Sequence, residues 1–375
     1  MTAELAVQAR QLAAALSLVG KAVPSRSTMP ILQHVLVRTD GSELVLSGTD
    51  MEVGITTRIE AMITSEGELT VPARKLSDFV ATLPAEGIVQ LHDTGKRLTV
   101  GCDTITARLP IMNADEFPEI VNRLDGEIDV DGEAMLAALR KVVFCASTDD
   151  SHPVLTGVLL AFDGTNLTVA SADGFRLSRT VIQKVVTGEA RTVIVPARAL
   201  GLVTQVLHPE LFRIGFKRYG EGPITAIVFD DTDTTIESQL IDGNFPDVER
   251  IVPQSHKTRV TAARFILEAA IKRALIFARD VNDLMTLRID KDVIVVAAES
   301  AMSGGGATEV PATVEGPGLE IAFNGRFLYE AVKAVSTANV VMGFNQPTNP
   351  CSITEGEAGD PHFVHVLMPM HIGKR

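Results

Sequence analysis

Tryptophan is absent from this chain, and only two tyrosines occur in 375 residues. With 46% apolar but only 5% aromatic residues, the apolar content is mostly aliphatic. Cysteine is scarce as well. Cys102, Cys145 and Cys351 are odd in number, far apart and form no C-x-x-C. That excludes a disulfide frame and a zinc site, and the three read as small buried hydrophobes in a reducing compartment. No run approaches the roughly 20 apolar residues of a membrane span. Residues 12–19 form a short apolar run after Arg10, faintly like a signal peptide, but Glu4, Gln8 and Gln11 interrupt the approach. The same pattern returns twice later, so it reads as helix and the protein as cytoplasmic. Nucleotide and nucleophile motifs are missing too, with no G-x-G-x-x-G, G-x-x-x-x-G-K-[ST] or G-x-S-x-G.

What is present is repetition. Val71-Pro72-Ala73-Arg74 is written again as Val195-Pro196-Ala197-Arg198. Each copy opens an amphipathic helix, with Leu76, Phe79, Val80 and Leu83 after the first and Leu200, Val203 and Leu207 after the second. This is the i, i+3, i+4, i+7 pattern of a one-sided helix, with Pro placed in the first turn. A weaker third copy runs from Asn324 through Arg326, Leu328, Ala331, Val332 and Val335. The starts lie 124 and 128 residues apart, close to a third of the chain, so one unit is used three times.

The first unit reads as a helix over 10–23, broken by Pro24-Ser25-Arg26-Ser27. Strands follow at 34–38, 43–47 across Asp40-Gly41, and 52–59, then the Pro72 helix and strands at 88–93, 97–102 and 104–110. The second repeats the order. It has a helix over 133–146, a hairpin of 157–162 and 167–170 over Asp163-Gly164, and the Pro196 helix. The third has a helix over 264–277, strands at 285–289 and 293–298, a flexible loop at Ser303-Gly304-Gly305-Gly306, and a closing strand at 363–368. Two helices and several antiparallel strands per unit define an α+β class, with helices on one face of the sheet. The natural cuts give domains at 1–124, 125–252 and 253–375.

The formal charge of −13 by itself argues against a nucleic-acid partner. Its distribution argues otherwise. The six helices carry twelve basic residues, Arg10, Lys21, Arg74, Lys75, Arg140, Lys141, Arg198, Arg264, Lys272, Arg273, Arg326 and Lys333. Against them stand four acids, Asp78, Glu133, Glu268 and Glu330, a net +8 that leaves −21 on strands and loops. Helices often carry Lys and Arg on a solvated face. The sharper reading is a shared basic surface that meets a polyanion through sequence-independent phosphate contacts.

The search for catalytic chemistry returns little. The eight His are scattered, and His362 and His365, three apart in a strand, point to opposite faces. Asp149-Asp150 beside His152 reads as a polar loop before Pro153, and Gly304–Gly306 as a loop with no helix start to cradle phosphate. No catalytic residue, metal site or cofactor is expected.

Several motifs occur together in order over nearly the whole chain. They are Thr28-Met29-Pro30-Ile31-Leu32, Gly48-Thr49-Asp50, Val71-Pro72-Ala73-Arg74-Lys75, Ala172-Asp173-Gly174-Phe175-Arg176-Leu177, Asp242-Gly243-Asn244-Phe245-Pro246-Asp247 and Val366-Leu367-Met368-Pro369-Met370. Together they resemble the bacterial DNA polymerase III beta subunit family, the sliding clamps. The resemblance implies three DNA-clamp domains per chain and a head-to-tail homodimer forming a six-domain ring, with helices lining the hole and sheets outside. It implies a non-catalytic processivity factor that holds double-stranded DNA topologically. The implied partners are the polymerase III alpha subunit, an ATP-driven clamp loader, and other proteins bearing a short Q-L-x-L-F-type motif.

In the family that motif enters an apolar groove. The matching positions are Leu155, Gly174, Phe175, Arg176, Leu177, Pro246, Arg250, Ile251, Val366, Leu367, Met368, Pro369 and Met370. Arg26, Arg74, Arg140, Lys141, Arg198, Lys272, Arg273 and Lys333 would face DNA, and Leu109 would meet Leu275 and Ile276 across the dimer seam. The chain departs from the family in three places. His371 follows Met370 where Arg or Lys is usual, and Lys374-Arg375 come later. Residues 300–307 carry no acid, with only Glu299 and Glu309 beside them. Asp149 lies in a loop that elsewhere offers neutral or basic residues. Competing readings are a duplicate clamp protecting against a clamp-directed inhibitor, a monomeric scaffold, and a hydrolase or lyase on repeated α+β units.

Overall fold

The computed structural model describes residues 3–118, 120, 125–185, 189–218, 222–356 and 362–371. The expected cut at 124 and the Lys374-Arg375 pair fall outside them. The chain condenses into two compact units, Met1–Leu136 with Arg198–Leu240, and Ala137–Ala197 with Ile241–Arg375. The middle third of the sequence is thus divided between the units.

In the first unit an antiparallel sheet of eight strands runs in the order Asp125–Asp129, Arg213–Arg218, Ile224–Asp230, Thr234–Gln239, Val53–Glu60, Glu43–Thr49, His34–Asp40, Glu68–Pro72. A five-stranded sheet orders Met62–Ser65, Glu4–Gln8, Ile88–Asp93, Arg97–Cys102, Ile105–Pro110. In the second unit twelve strands form one sheet. Their order is Arg191–Pro196, Gly157–Phe162, Asn166–Ala172, Arg176–Gln183, Phe363–Leu367, Cys351–Glu355, Asn339–Phe344, Thr258–Ala263, Gly304–Glu315, Val293–Ser300, Leu284–Asp290, Leu319–Asn324.

The helices are α1 (Ala9–Val19), α2 (Ala73–Val80), α3 (Gly132–Val142), α4 (Ala197–Val206), the single turn α5 (Val248–Ile251), α6 (Arg264–Ala278) and α7 (Gly325–Ala334). Among the described residues, every helix longer than α5 follows a strand directly or after two residues. The junction is economical because a helix N-cap needs extended backbone, which the last residue of a strand already has. Gln8, Pro72, Ala263 and Asn324 all sit at this hinge with φ between −54° and −67°. Proline fits there because its ring holds φ near that value. Pro72 is therefore the N-cap and the end of a strand, not a first-turn residue as expected. Asn324 goes further, its side chain accepting from the Arg326 and Phe327 amides.

The apolar stripes bury as their spacing predicts. Leu76 and Val80 on α2, Leu200 and Val203 on α4, and Leu328, Ala331 and Val332 on α7 are buried. In the second unit α6 and α7 pack together, and Leu267, Ile271, Leu328 and Val332 share a core with Phe323, Phe344 and Phe363. Each such side chain contributes about 1.5–3 kcal/mol by leaving water.

Two further expectations need correction. The first helix ends at Val19, not 23. Beyond it the chain tightens to i to i−3 bonds, Lys21 N–H to Leu18 O at 3.1 Å and Ala22 N–H to Val19 O at 3.0 Å. Ala22 remains fully buried, so the apolar period outlasts the helix. The glycine run at 304–306 is not a loop but the start of the Gly304–Glu315 strand, paired with Ala298–Ser300. Gly306 is needed there for close approach, since a Cβ would lie 2.9 Å from the Phe277 ring. The strands Glu4–Gln8 and Met62–Ser65 were not anticipated.

Among the helix starts with described caps, α7 is the long helix closed by a side chain. Replacing Asn324 with Ala should destabilise it by about 1 kcal/mol, and Asp should largely restore it. Hydrogen exchange of the α7 amides in the two variants measures this directly.

Candidate peptide groove and basic helical face

The strands Arg176–Gln183 and Phe363–Leu367 pair antiparallel, with Leu177 opposite Val366 and Arg176 opposite Leu367. Side chains alternate across a strand, so these pairs face opposite ways. Leu177 and Val366 join a buried cluster with Leu159, Ala170, Ile194, Val248 and Val364, and Leu155, Val154, Phe245 and Val252 pack on it half-buried. Leu367 belongs to the other core, under α6 and α7.

Around the Leu177 cluster lies an apolar rim. Phe175 is 65% exposed, Met368 42% and Ile251 40%, while Pro369 and Met370 are half-buried. Pro246 and Arg250 are exposed, and Arg250 pairs with Asp247 at 2.9 Å in open solvent, where such a pair contributes little. The rim is held by backbone. The Met368 N–H donates to Phe175 O at 2.9 Å and the Met370 N–H to Ala322 O at 2.8 Å. Gly174 takes φ +88° with open space where a Cβ would stand, so glycine serves the turn's conformation. Asp173 caps that turn, its Oδ1 accepting from the Phe175 and Arg176 amides at 2.9 and 3.0 Å. An exposed apolar patch with a buried floor and polar edges is suited to apolar anchors, and methionine makes it adaptable.

All thirteen expected groove residues lie in the second unit, and the structure divides them. Leu155, Leu177 and Val366 belong to the cluster, and Phe175, Ile251 and Met368 form exposed rim. Arg176 does not offer its guanidinium to this face. Its Nε donates to Asp173 at 3.0 Å, and its other nitrogens donate to Glu330 and to the Phe144 carbonyl. Val248 and Val364 were missed. Alternation from Val366 would have found Val364.

The eight expected DNA-facing residues also differ. Arg26, Arg74, Arg140, Lys272, Arg273 and Lys333 are exposed. Lys141 is engaged, donating to Glu355 at 2.8 Å and Ser336 at 3.1 Å, and Arg198 pairs with Asp50 and, at 3.6 Å, with Glu52. In the second unit Arg140, Lys141 and Lys333 line a cavity of about 550 Å³ with Phe144, Glu330 and Ser336. Lys272, Arg279 and Arg326 line another of about 610 Å³ with Asp283, Tyr329 and Glu330. Arg279 was not among the expected residues because it lies just past the end of α6. Of the seam residues, Leu109 is half-buried on the edge strand Ile105–Pro110, Leu275 is buried in its own core, and Ile276 is 66% exposed.

Among the described residues, no group of three or more His, Cys, Asp or Glu could hold a metal ion. Asp149 closes a local turn, and the Ser151 amide donating to it holds its carboxyl below the usual range. No helix of the described residues is long and apolar enough to cross a membrane.

Repeated helices on antiparallel sheet, with an apolar groove and exposed cations on the helices, are features of the class of DNA clamps. Models of the DNA polymerase III beta subunit match in succession: the N-terminal domain over residues 3–121, the central domain over 129–247 and the C-terminal domain over 249–371. The beta sliding clamp of Synechococcus elongatus is 30% identical over 98% of this chain and 99% of its own. The Thermotoga maritima beta subunit structure superposes with a TM-score of 0.87 at 26% identity, covering 99% of this chain and 100% of that one. A Pseudomonas aeruginosa sliding clamp bound to griselimycin gives 0.90 at 25% identity, with the same coverage. The chain belongs to the DNA polymerase III beta subunit family, the sliding clamps of DNA replication, whose members are non-catalytic processivity factors.

One buried histidine bears on stability. His365 is fully buried behind the groove, its ring stacked on Phe144 and its Nδ1 3.7 Å from Cys145 Sγ. Burial, helped by the nearby Arg176 charge, pushes its pKa down to about 3. The unfolded chain titrates near 6.5, so it binds this proton first and the folded state refuses it. The contribution to stability is intact above about pH 6.5 and is lost as pH falls from there towards about 3. Urea unfolding across that window should show a steep acid limb, and His365→Leu should flatten it.

Proposed function

We propose that the chain forms a head-to-tail homodimer, a six-domain ring that encircles double-stranded DNA and tethers the replicative polymerase. The domains are cut at 1–124, 125–252 and 253–375. Arg26, Arg74, Arg140, Lys272, Arg273 and Lys333 meet phosphates, with Lys141 and Arg198 contributing once their carboxylate partners are displaced. Leu109 on its edge strand meets Ile276 of the partner subunit, with Leu275 packed behind. A clamp loader opens the ring, and the protein works in the cytoplasm.

The observation that carries this reading is the apolar groove at the Leu177–Val366 pair, with its exposed Phe175, Ile251 and Met368 rim. There the polymerase alpha subunit and other partners dock a Q-L-x-L-F-type peptide, Leu and Phe first. His371, exposed at the rim, replaces the basic residue usual in the family.

Retention on DNA tests the ring. After loading with a cognate loader and ATP, the protein should stay on circular DNA in high salt and run off linearised molecules. Equal loss from both, with an active loader, would sink the proposal. Phe175→Ala and Met368→Ala should each weaken a fluorescent Q-L-x-L-F peptide by about tenfold without unfolding the protein. Substituting Lys272 and Arg273 together by Ala should lower the salt dependence of duplex binding by a slope of about 2.

A further inference from the structure

Arg176 stands between the groove and the basic helical face, both within the second unit. Its backbone lies in the strand whose next residue, Leu177, belongs to the groove cluster. Its side chain leaves by the opposite face and is only 7% exposed. The guanidinium lies 4.0 Å from the Phe327 ring centroid and 5.4 Å from that of Phe144, with hydrogen bonds to Asp173, Glu330 and the Phe144 carbonyl. Asp173 is also the residue that fixes the Phe175 amide, and so the position of the exposed Phe175 rim.

Glu330 is the hinge of this arrangement. It lies half-exposed on α7 and borders both cation-lined cavities. Arg326 lies four residues before it and Lys333 three after, on the same helical face. Glu330 is thus paired with Arg176, while two cations stand one turn away on its own helix, within reach as alternative partners.

We propose that Arg176 is a positioning residue that, with Glu330 as its exchangeable partner, couples phosphate binding on the basic face to peptide binding in the groove. The proposal rests on the groove and DNA readings above. A phosphate that takes Lys333 and Arg326 removes the competing cations and repels the Glu330 carboxylate, which is left to Arg176. A guanidinium held on all sides holds Asp173, and Asp173 holds the Gly174–Phe175 turn. The groove then binds with less ordering to do. Linkage makes the effect reciprocal, so a bound peptide tightens the hold on DNA by the same factor.

The test uses the full-length protein, a fluorescent Q-L-x-L-F peptide and a short linear duplex in low salt, with duplex binding followed by a second label. In the unmodified protein, saturating duplex should tighten peptide binding about fivefold. Glu330→Gln, which keeps an acceptor for Arg176 but abolishes the charge competition, should reduce that ratio to less than about twofold. Arg176→Lys should weaken the peptide and also lose the ratio. Hydrogen exchange of the Phe175 and Arg176 amides, slowed by duplex in the unmodified protein, reports the same coupling without any variant. If peptide and duplex both bind but neither affects the other, the coupling is wrong while the clamp reading stands. An unchanged ratio in Glu330→Gln removes Glu330 from the route and overturns the proposal. If the peptide does not bind at all, the groove reading falls and the coupling with it; if the peptide binds but the duplex does not, the coupling is overturned while the ring reading stands.

Discussion

The pairing of Arg176–Gln183 with Phe363–Leu367 is the interaction on which the rest of the second unit depends. It joins strands nearly half the chain apart and makes twelve strands one sheet. Pairing so distant in sequence must overcome loop-closure entropy before it is rewarded. The reward is a core on each face. One face gathers Leu177 and Val366 over α5, and the other gathers Leu367, Phe363 and the buried side chains of α6 and α7. The register is strict because a slip of one residue would exchange the two faces and bury the Arg176 guanidinium among the valines of the groove.

That strictness explains why charge can be buried here. Arg176 is paired with two carboxylates, a carbonyl and two aromatic faces, and His365 is kept neutral beside it. Buried charge is tolerated where it is paired and hydrogen-bonded. The polar layer is built from the same strand pair as the groove, so the turn that carries Phe175 is tied to a charged support through Asp173. The same economy appears at the helix starts, where the last strand residue serves as N-cap.

The charge distribution has its own physical sense. An acidic chain with basic helices repels polyanions everywhere except along those helices. The structure refines this. Lys141 and Arg198 are held by carboxylates, while Arg140, Lys272, Arg273 and Lys333 stand exposed. Exposed cations of this kind suit phosphate contacts that form and break readily.

Much of this was legible in the sequence. The three-fold repeat, the six longer helices, the hairpins and the family follow from periodicity and from motifs in order, because these depend on residues close together in the chain. Boundaries were less legible. Ala22 continues an apolar period after the helix has tightened into turns, and Gly304–Gly306 looks like a loop until Phe277 is seen against it. The groove was only partly legible. The sequence by itself determined which residue types stand at positions 174–177 and 366–370. The direction in which Arg176 and Leu367 point was decided only by the tertiary structure, because strand register and the faces it buries are set by partners far away in the chain.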